Sequence, residues 1–349
     1  MRHARTASRG LVAPSDLGDV AITLDPALQQ QVAALLRGSH ALEAGAVVID
    51  VRTGRILAWA SVDPAGRDMV AHPYAPPASI FKVVAATALI DRAHVPAQAR
   101  QCYVGGERSV RLADLRPNGA GVGVRCEPLE TALGYSRNLV VAGLSRRHLD
   151  SEALTTTARL LGLGGNIPID VRVDPGSIEV PSDEAGLARA AAGFGPGRMS
   201  PLEAAFMMAS IARGGSRPTL HMLDQPTSGD QPDAGQAMRP STARTLTRML
   251  EVTVREGTCA KAFRDERGNP YLGRMRIAAK TGTLARSNPT RLYSWFTSFA
   301  PSDHPEIAVA VMLANEARWW QKGNQVGRDI LRAYFAGKRR GVQAPRRVR

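Results

Sequence analysis

The stretch GAVVIDVRTGRILAWASV, residues 45–62, places two apolar, β-rich runs on either side of DVRTG. That pattern predicts a β-hairpin, with Gly54 supplying the positive φ of the turn. Just upstream, LDPALQQQVAALLRG predicts a helix with Asp25 as N-cap, Pro26 in its first turn and Gly38 at its end. Near the other end of the chain, LYSWFTSFA (292–300) and EIAVAVMLA (306–314) predict a second hairpin across PSDHP, and MRIAAKTGT (275–283) a further strand. Helical patterns fill the interval. SPLEAAFMMASIARGG (200–215) carries a capping box on Ser200 and Glu203 and closes at Gly214; STARTLTRMLEVTVREG (241–257) starts on Ser241 and stops at Gly257. DQPTSGDQPDAGQ (224–236) reads as a surface loop, and NQVGRDILRAYFAG as a final helix. Strands on both sides of a long helical insertion must close one sheet. The expectation is therefore a single α/β unit with a helical lobe, and not two sequential domains.

The 349-residue chain carries a net charge of +14. The C-terminal GKRRGVQAPRRVR holds six of these charges, and Arg2, Arg5 and Arg9 three more, so most of the excess sits in expected tails. Aromatic residues are scarce and no basic stripe interleaves with them, which argues against nucleic-acid binding. Solvated tails, or tails touching an anionic membrane or wall polymer, fit better. No run reaches the roughly 18 apolar residues of a membrane span, and the first twenty residues lack a signal-peptide core. The three cysteines show no CxxC spacing and no two histidines lie three to five residues apart, so no metal or other cofactor is expected. Cys102 and Cys126 flank a Gly-, Arg- and Asp-rich loop; a disulfide and a pair of small buried hydrophobes are both open readings.

Lysine is rare here, five residues against forty arginines, yet Lys82 sits in the nearly all-apolar PPASIFKVVAATALID (76–91). Pro76 and Pro77 disfavour helix before them, which places Ser79 at a helix N-terminus. Lys82, three residues on, then shares a face with the serine hydroxyl. A serine becomes a nucleophile when a neighbouring base takes its proton. From an ordinary lysine pKa of about 10.4, neutrality at pH 7 requires a lowering of roughly 3, about 4–5 kcal/mol. Burial and a second nearby cation supply it. Arginine does not give up its proton in proteins, so it cannot stand in. Alone, Ser-x-x-Lys is weak. GYSRN adds Ser136 and Asn138 in S-x-N spacing, and AAKTGT adds Lys280, Thr281, Gly282 and Thr283 at a strand end. S-x-x-K, S-x-N and K-T-G in that order form a joint signature of serine acyl-transfer enzymes.

On these motifs the chain resembles the transpeptidase domain of penicillin-binding proteins over roughly residues 20–337. TLDPALQQ, GAVVIDVRTGRILAWAS, FGPGRMSPLEAAFMMASIARGG, VREGT and SWFTSFAPSDHPEIAVAV support it, and SIFKV looks like the class B, monofunctional branch. The resemblance implies a five-stranded antiparallel sheet flanked by helices, with a lobe of about residues 83–260 inserted. It implies one domain over 21–337, between a basic tail or linker at 1–20 and a basic tail at 338–349. It also implies a peptidoglycan D,D-transpeptidase acting on D-Ala-D-Ala stem peptides, penicillin as a covalent ligand, and a location on the extracytoplasmic side of the membrane. Membership of a cell-wall synthesis complex is left open. In the implied roles Ser79 is the nucleophile and Lys82 its base. Ser136 relays a proton to the departing D-Ala, and Asn138 positions Lys82 and binds the substrate amide. Lys280, Thr281 and Thr283 hold the terminal carboxylate, and Gly282 lets the substrate backbone lie against the strand. The N–H groups of Ser79 and Thr283 form the oxyanion hole.

Departures from the family pattern are Ala279, where glycine usually precedes K-T-G, Arg137 at the middle of S-x-N, and Cys259 where glycine is common after REGT. The rival readings are a D,D-carboxypeptidase, a serine β-lactamase with Glu179 or Glu184 as deacylating base, and a non-turnover penicillin sensor or scaffold module. Trp295 and Phe299 are expected in the core, Lys261 and Lys322 on the solvated surface. Arg286, Asn288 and Arg291 are candidate cleft liners, and His72 receives no role.

Overall fold

The computed structural model describes residues 5–7, 10–15, 18–105, 109–116, 119–224, 234–287, 290–316 and 318–343. Where the charge pattern suggested a tail or linker, three short strands, β1 (Arg5–Ala7), β2 (Gly10–Ser15) and β3 (Gly18–Ile22), pair as a small antiparallel sheet. Helix α1 (Pro26–Gly38) follows, and the Asp25 carboxylate accepts the Leu28 N–H at 2.8 Å as its N-cap. The hairpin is β4 (Glu43–Asp50) and β5 (Ile56–Val62), with Gly54 at φ 73° in its turn.

The chain then enters the lobe. A 3-10 turn, Ala78–Ile80, runs into α2 (Phe81–Asp91). A two-stranded ribbon, β6 (Arg100–Tyr103) with β7 (Arg125–Pro128), leads to α3 (Leu129–Tyr135), α4 (Asn138–His148) and α5 (Ser151–Leu160). β8 (Ser177–Ile178) and β9 (Gly197–Arg198) pair around α6 (Glu184–Arg189). Helix α7 (Pro201–Ala212) carries the expected capping box. Helix α8 (Pro240–Arg255) begins one residue before Ser241, and Ser241 does not cap it. Asp91 caps it from α2 instead, accepting the Arg239 N–H at 2.9 Å and the Thr242 hydroxyl at 2.7 Å, so this helix start depends on a contact remote in sequence.

Strands β10 (Ala278–Ser287), β11 (Thr290–Ala300) and β12 (Ile307–Asn315) return to the sheet, whose order is β10-β11-β12-β4-β5, antiparallel throughout. The pairing of β12 with β4 joins the two halves of the chain across the whole insertion. Helix α9 (Gly323–Gln343) is the last described element and runs on into the stretch expected as a basic tail. Among the described residues no helix is long and apolar enough to cross a membrane.

Both sheet faces are covered. One packs against the lobe through Val47, Ile49, Ala308 and Met312, in a cluster that includes Phe206 and Met208 of α7. The other carries Val48, Ala58, Val311 and Leu313 against Val32 and Leu36 of α1 and Val326 and Ile330 of α9. The alternation follows from the period-2 geometry of a strand. β10 lies at the edge of the sheet, so one side of its backbone is left open, beside the lobe.

Candidate active site

The open edge of β10 and the lobe enclose a cleft of about 900 Å³ lined by Ser79, Ser136, Asn138, Thr281 and Thr283, among others. The three motifs, more than 200 residues apart at their extremes, therefore meet in one place. Ser79 lies in the 3-10 turn. The residue before it, Ala78, is held at φ 48°, a left-handed conformation costly for a non-glycine residue. The Trp295 indole N–H donates to the Pro76 carbonyl at 2.9 Å, pinning the segment that leads into this turn.

At Gly282 the protein itself packs close on the side-chain position. A Cβ there would stand 3.1 Å from Trp295 Cβ, 3.3 Å from Ile80 Cγ1 and 3.4 Å from Ala78 Cβ. The missing side chain makes room for the nucleophile's own turn against β10, and the space it leaves is inside the protein.

Lys82 is fully buried, with Nζ 2.7 Å from Ser79 Oγ and 2.6 Å from the Ala192 carbonyl. Burial first, and the nearby Lys280 charge second, push its pKa well below the ordinary lysine range. A neutral amine still has a hydrogen to give Ala192 and offers its lone pair to the serine hydroxyl. Lys280 is equally buried, and burial pushes its pKa down to about 7. Its Nζ donates to Ser136 Oγ at 3.0 Å and to the Thr281 carbonyl at 2.8 Å. Ser136 reaches that position because it ends α3 in a left-handed conformation, φ 59°, so that α4 restarts at Asn138 in a new direction. Asn138 is 8% exposed and lines the cleft.

Thr281 and Thr283 face the cleft, and Thr281 Oγ1 shares a 2.6 Å hydrogen bond with Thr258 Oγ1. Thr258 stands in VREGT, where no local pattern marks it for function, and Phe194, Leu284, Ala285, Ser294, Trp319, Lys322 and Asn324 line the cleft without a sequence signal either. Lys322, expected as a plain surface charge, is exposed but sits in the cleft wall with its amine 5.1 Å above the Trp319 ring. Nothing local in KGN signals this, because the β12–α9 connection approaches the site only through the fold. Lys261 is exposed.

Trp295 and Phe299 are buried as expected, but Trp295 also contributes to the cleft wall. Arg291 turns away towards Glu43, 3.7 Å from its carboxylate, and Arg286 is exposed and does not line the cleft. Asn288 lies outside the described residues. His72 pairs with Asp174 at 2.8 Å on the surface. Ala279 is buried in the apolar cluster that contains Phe263 and Phe296, which accommodates its methyl group. Cys259 is free and buried, and burial pushes its thiol up to about 12, so it stays protonated. Glu184 is tied to Arg146 at 2.8 Å and Glu179 is exposed; neither lines the cleft, and no carboxylate does among the described residues. Cys102 and Cys126, whose state the sequence left open, are disulfide-bonded directly across the β6–β7 ribbon.

Residues 44–335 match the family model described as the penicillin binding protein transpeptidase domain. The chain is 28% identical to penicillin-binding protein PbpB of Mycobacterium tuberculosis over 334 residues, covering 86% of this chain and 48% of that protein. It is 25% identical to peptidoglycan D,D-transpeptidase PbpA of the same organism over 371 residues, covering 92% of this chain and 73% of that one. It thus spans about half the length of PbpB. Among solved structures, the imipenem acyl-enzyme complex of penicillin-binding protein A from M. tuberculosis superposes with a TM-score of 0.73. It is 21% identical, with 90% of this chain and 80% of that chain covered.

Proposed function

The chain belongs to the penicillin-binding protein transpeptidase family, and on that premise we propose that it is a serine D,D-transpeptidase that cross-links peptidoglycan stem peptides. The observation that carries the reading is the 2.7 Å contact between Ser79 Oγ and a wholly buried Lys82 amine whose surroundings favour its neutral form. The named activity of PbpA and the acyl-enzyme state of its solved structure support the same chemistry.

Ser79 gives its proton to Lys82 and attacks the carbonyl of the penultimate D-Ala. The oxyanion is met by the N–H groups of Ser79 and Thr283. The C–N bond then breaks. Ser136 hands its proton to the departing D-Ala nitrogen and draws a replacement from the protonated lysine pair beside it. The terminal carboxylate is held by Lys280, Thr281 and Thr283, while Asn138 holds the substrate amide and the Lys82 amine. The amine of a second stem peptide attacks the resulting ester and gives its proton to Lys82, which passes it to Ser79 Oγ as the ester C–O bond breaks. The open edge of β10 offers the donor peptide a row of backbone partners, as in strand addition. A β-lactam follows the first half of this path, its ring amide opening on Ser79.

Among the described residues no carboxylate lines the cleft to serve as the deacylating base a Glu-dependent β-lactamase would need, which favours a lasting acyl-enzyme. The disulfide favours an oxidising, extracytoplasmic location. We take residues 21–337 as one catalytic unit. The test is intact-protein mass after incubation with benzylpenicillin, wild type beside Ser79→Ala, followed over hours. A stable adduct on the wild type alone is expected. Rapid drug loss with no lasting adduct would instead mark a hydrolase, and an adduct on Ser79→Ala would move the nucleophile elsewhere.

A further inference from the structure

Beside the catalytic cleft lies a second cavity of about 310 Å³ that shares Ser136 and Asn138 with it. Its other walls are Tyr103, Gly105, Arg125, Tyr135, Arg137 and Leu139. The S-x-N segment forms one wall, and neither S-x-x-K nor K-T-G contributes to the rest of this pocket. Another wall is built by the disulfide-clipped ribbon. Tyr103 pairs directly opposite Arg125 and Gln101 opposite Glu127, so those four side chains share one ribbon face while Cys102 and Cys126 take the other.

Two features give the cavity a chemical preference. Arg137 donates from Nε to Glu127 Oε2 at 2.9 Å and lies over the Tyr135 ring, so Glu127 answers its charge. Arg125, exposed, has no carboxylate partner among the described residues, and one positive charge is left over. The Tyr103 side chain is 3% exposed, and its hydroxyl lies by the Glu127 carboxylate without a well-formed hydrogen bond among the described residues. A buried hydroxyl in that state costs free energy that a bound acceptor would recover. An uncommitted guanidinium beside an unsatisfied O–H donor suits a carboxylate.

We propose that this side pocket binds a peptide carboxylate other than the terminal one, with Arg125 and the Tyr103 hydroxyl as its donors. The proposal rests on the transpeptidase reading. The carboxylate belongs to the donor strand or to the acceptor strand, and the experiment separates them.

Acylation rate constants are measured on the full chain with benzylpenicillin and with carbenicillin, which differs by one side-chain carboxylate. Wild type is compared with Arg125→Gln, at an exposed site, and with Tyr103→Phe, which removes only the hydroxyl. If the donor strand supplies the carboxylate, the carbenicillin-to-benzylpenicillin ratio falls about tenfold in Arg125→Gln and a few-fold in Tyr103→Phe. If the acceptor supplies it, that ratio holds. Instead, KM rises about tenfold for an acceptor peptide with a free carboxylate, relative to its amidated form. Both ratios unchanged in both variants would overturn the subsite. Wild type failing to acylate with either drug would sink the transpeptidase reading and this proposal with it.

Discussion

The two faces of the sheet are buried alike and built for different ends. Against α1 and α9 the interface is apolar, from Val32 and Leu36 through Val311 and Leu313 to Ile330. On the lobe side, beside an equally apolar cluster, two lysines are fully buried where β10 meets the nucleophile's turn. One face stabilises the fold by removing hydrocarbon from water. At the other seam the protein gives up stability, because a buried amine is disfavoured in its charged form. The difference teaches that the chemistry depends on a cost the rest of the core can offset.

The sharpest way to break that contrast is Lys82→Met, which keeps the bulk and removes the amine. Acylation by benzylpenicillin should fall by at least about 10³-fold, within the range of lost general-base catalysis. The same variant should melt higher. The folded-state pKa of Lys82 lies below its unfolded value, so between the two the unfolded chain binds more protons and stability rises with pH. At neutral pH the wild type has not recovered that loss, and removing the amine relieves it. A Tm gain on the order of a few degrees is expected by calorimetry. A Tm that drops would mean that Lys82 is stabilising and that the contrast between the faces is false. By the same linkage, wild-type acylation should decline on acidification as the amine takes up a proton.

Leu36→Ala probes the other face. Loss of a fully buried leucine should cost about 2–5 kcal/mol in urea denaturation and leave the acylation rate of the folded protein unchanged. A large rate change would show that the α1 side also tunes the site.

Gly282→Ala lies between the two. Its methyl would press on Trp295, Ile80 and Ala78 at 3.1–3.4 Å, so the turn carrying Ser79 must shift by tenths of an ångström. Acylation should slow roughly tenfold for a destabilisation of about 1–3 kcal/mol. If substrate-backbone clearance were the glycine's purpose instead, substrate affinity would worsen with little change in stability. The smallest effect is expected for Thr258→Val, which removes the hydrogen bond to Thr281. A net bond of about 1 kcal/mol predicts a loss of roughly five-fold in acylation rate.

Much of this was legible in the sequence. The strand pattern around residues 45–62 and 292–314 dictated a sheet closed across an insertion, because alternating and continuous apolar runs are local signals. Asp25 and the Ser200–Glu203 capping box were readable for the same reason: their partners lie within four residues. The rare Lys82, three residues from Ser79, pointed to the chemistry because only one cationic side chain of the two in use can lose its proton. The fold alone decided the rest. Helix α8 starts where Asp91 caps it, 148 residues away along the chain from the Arg239 N–H it accepts. Thr258, Trp319, Lys322 and Asn324 became cleft walls, and Cys102 met Cys126, through strand pairing and packing. Sequence determines what a residue can do within a turn or two of itself. Which side chains share a low-dielectric cleft is set by long-range burial, which no local pattern encodes.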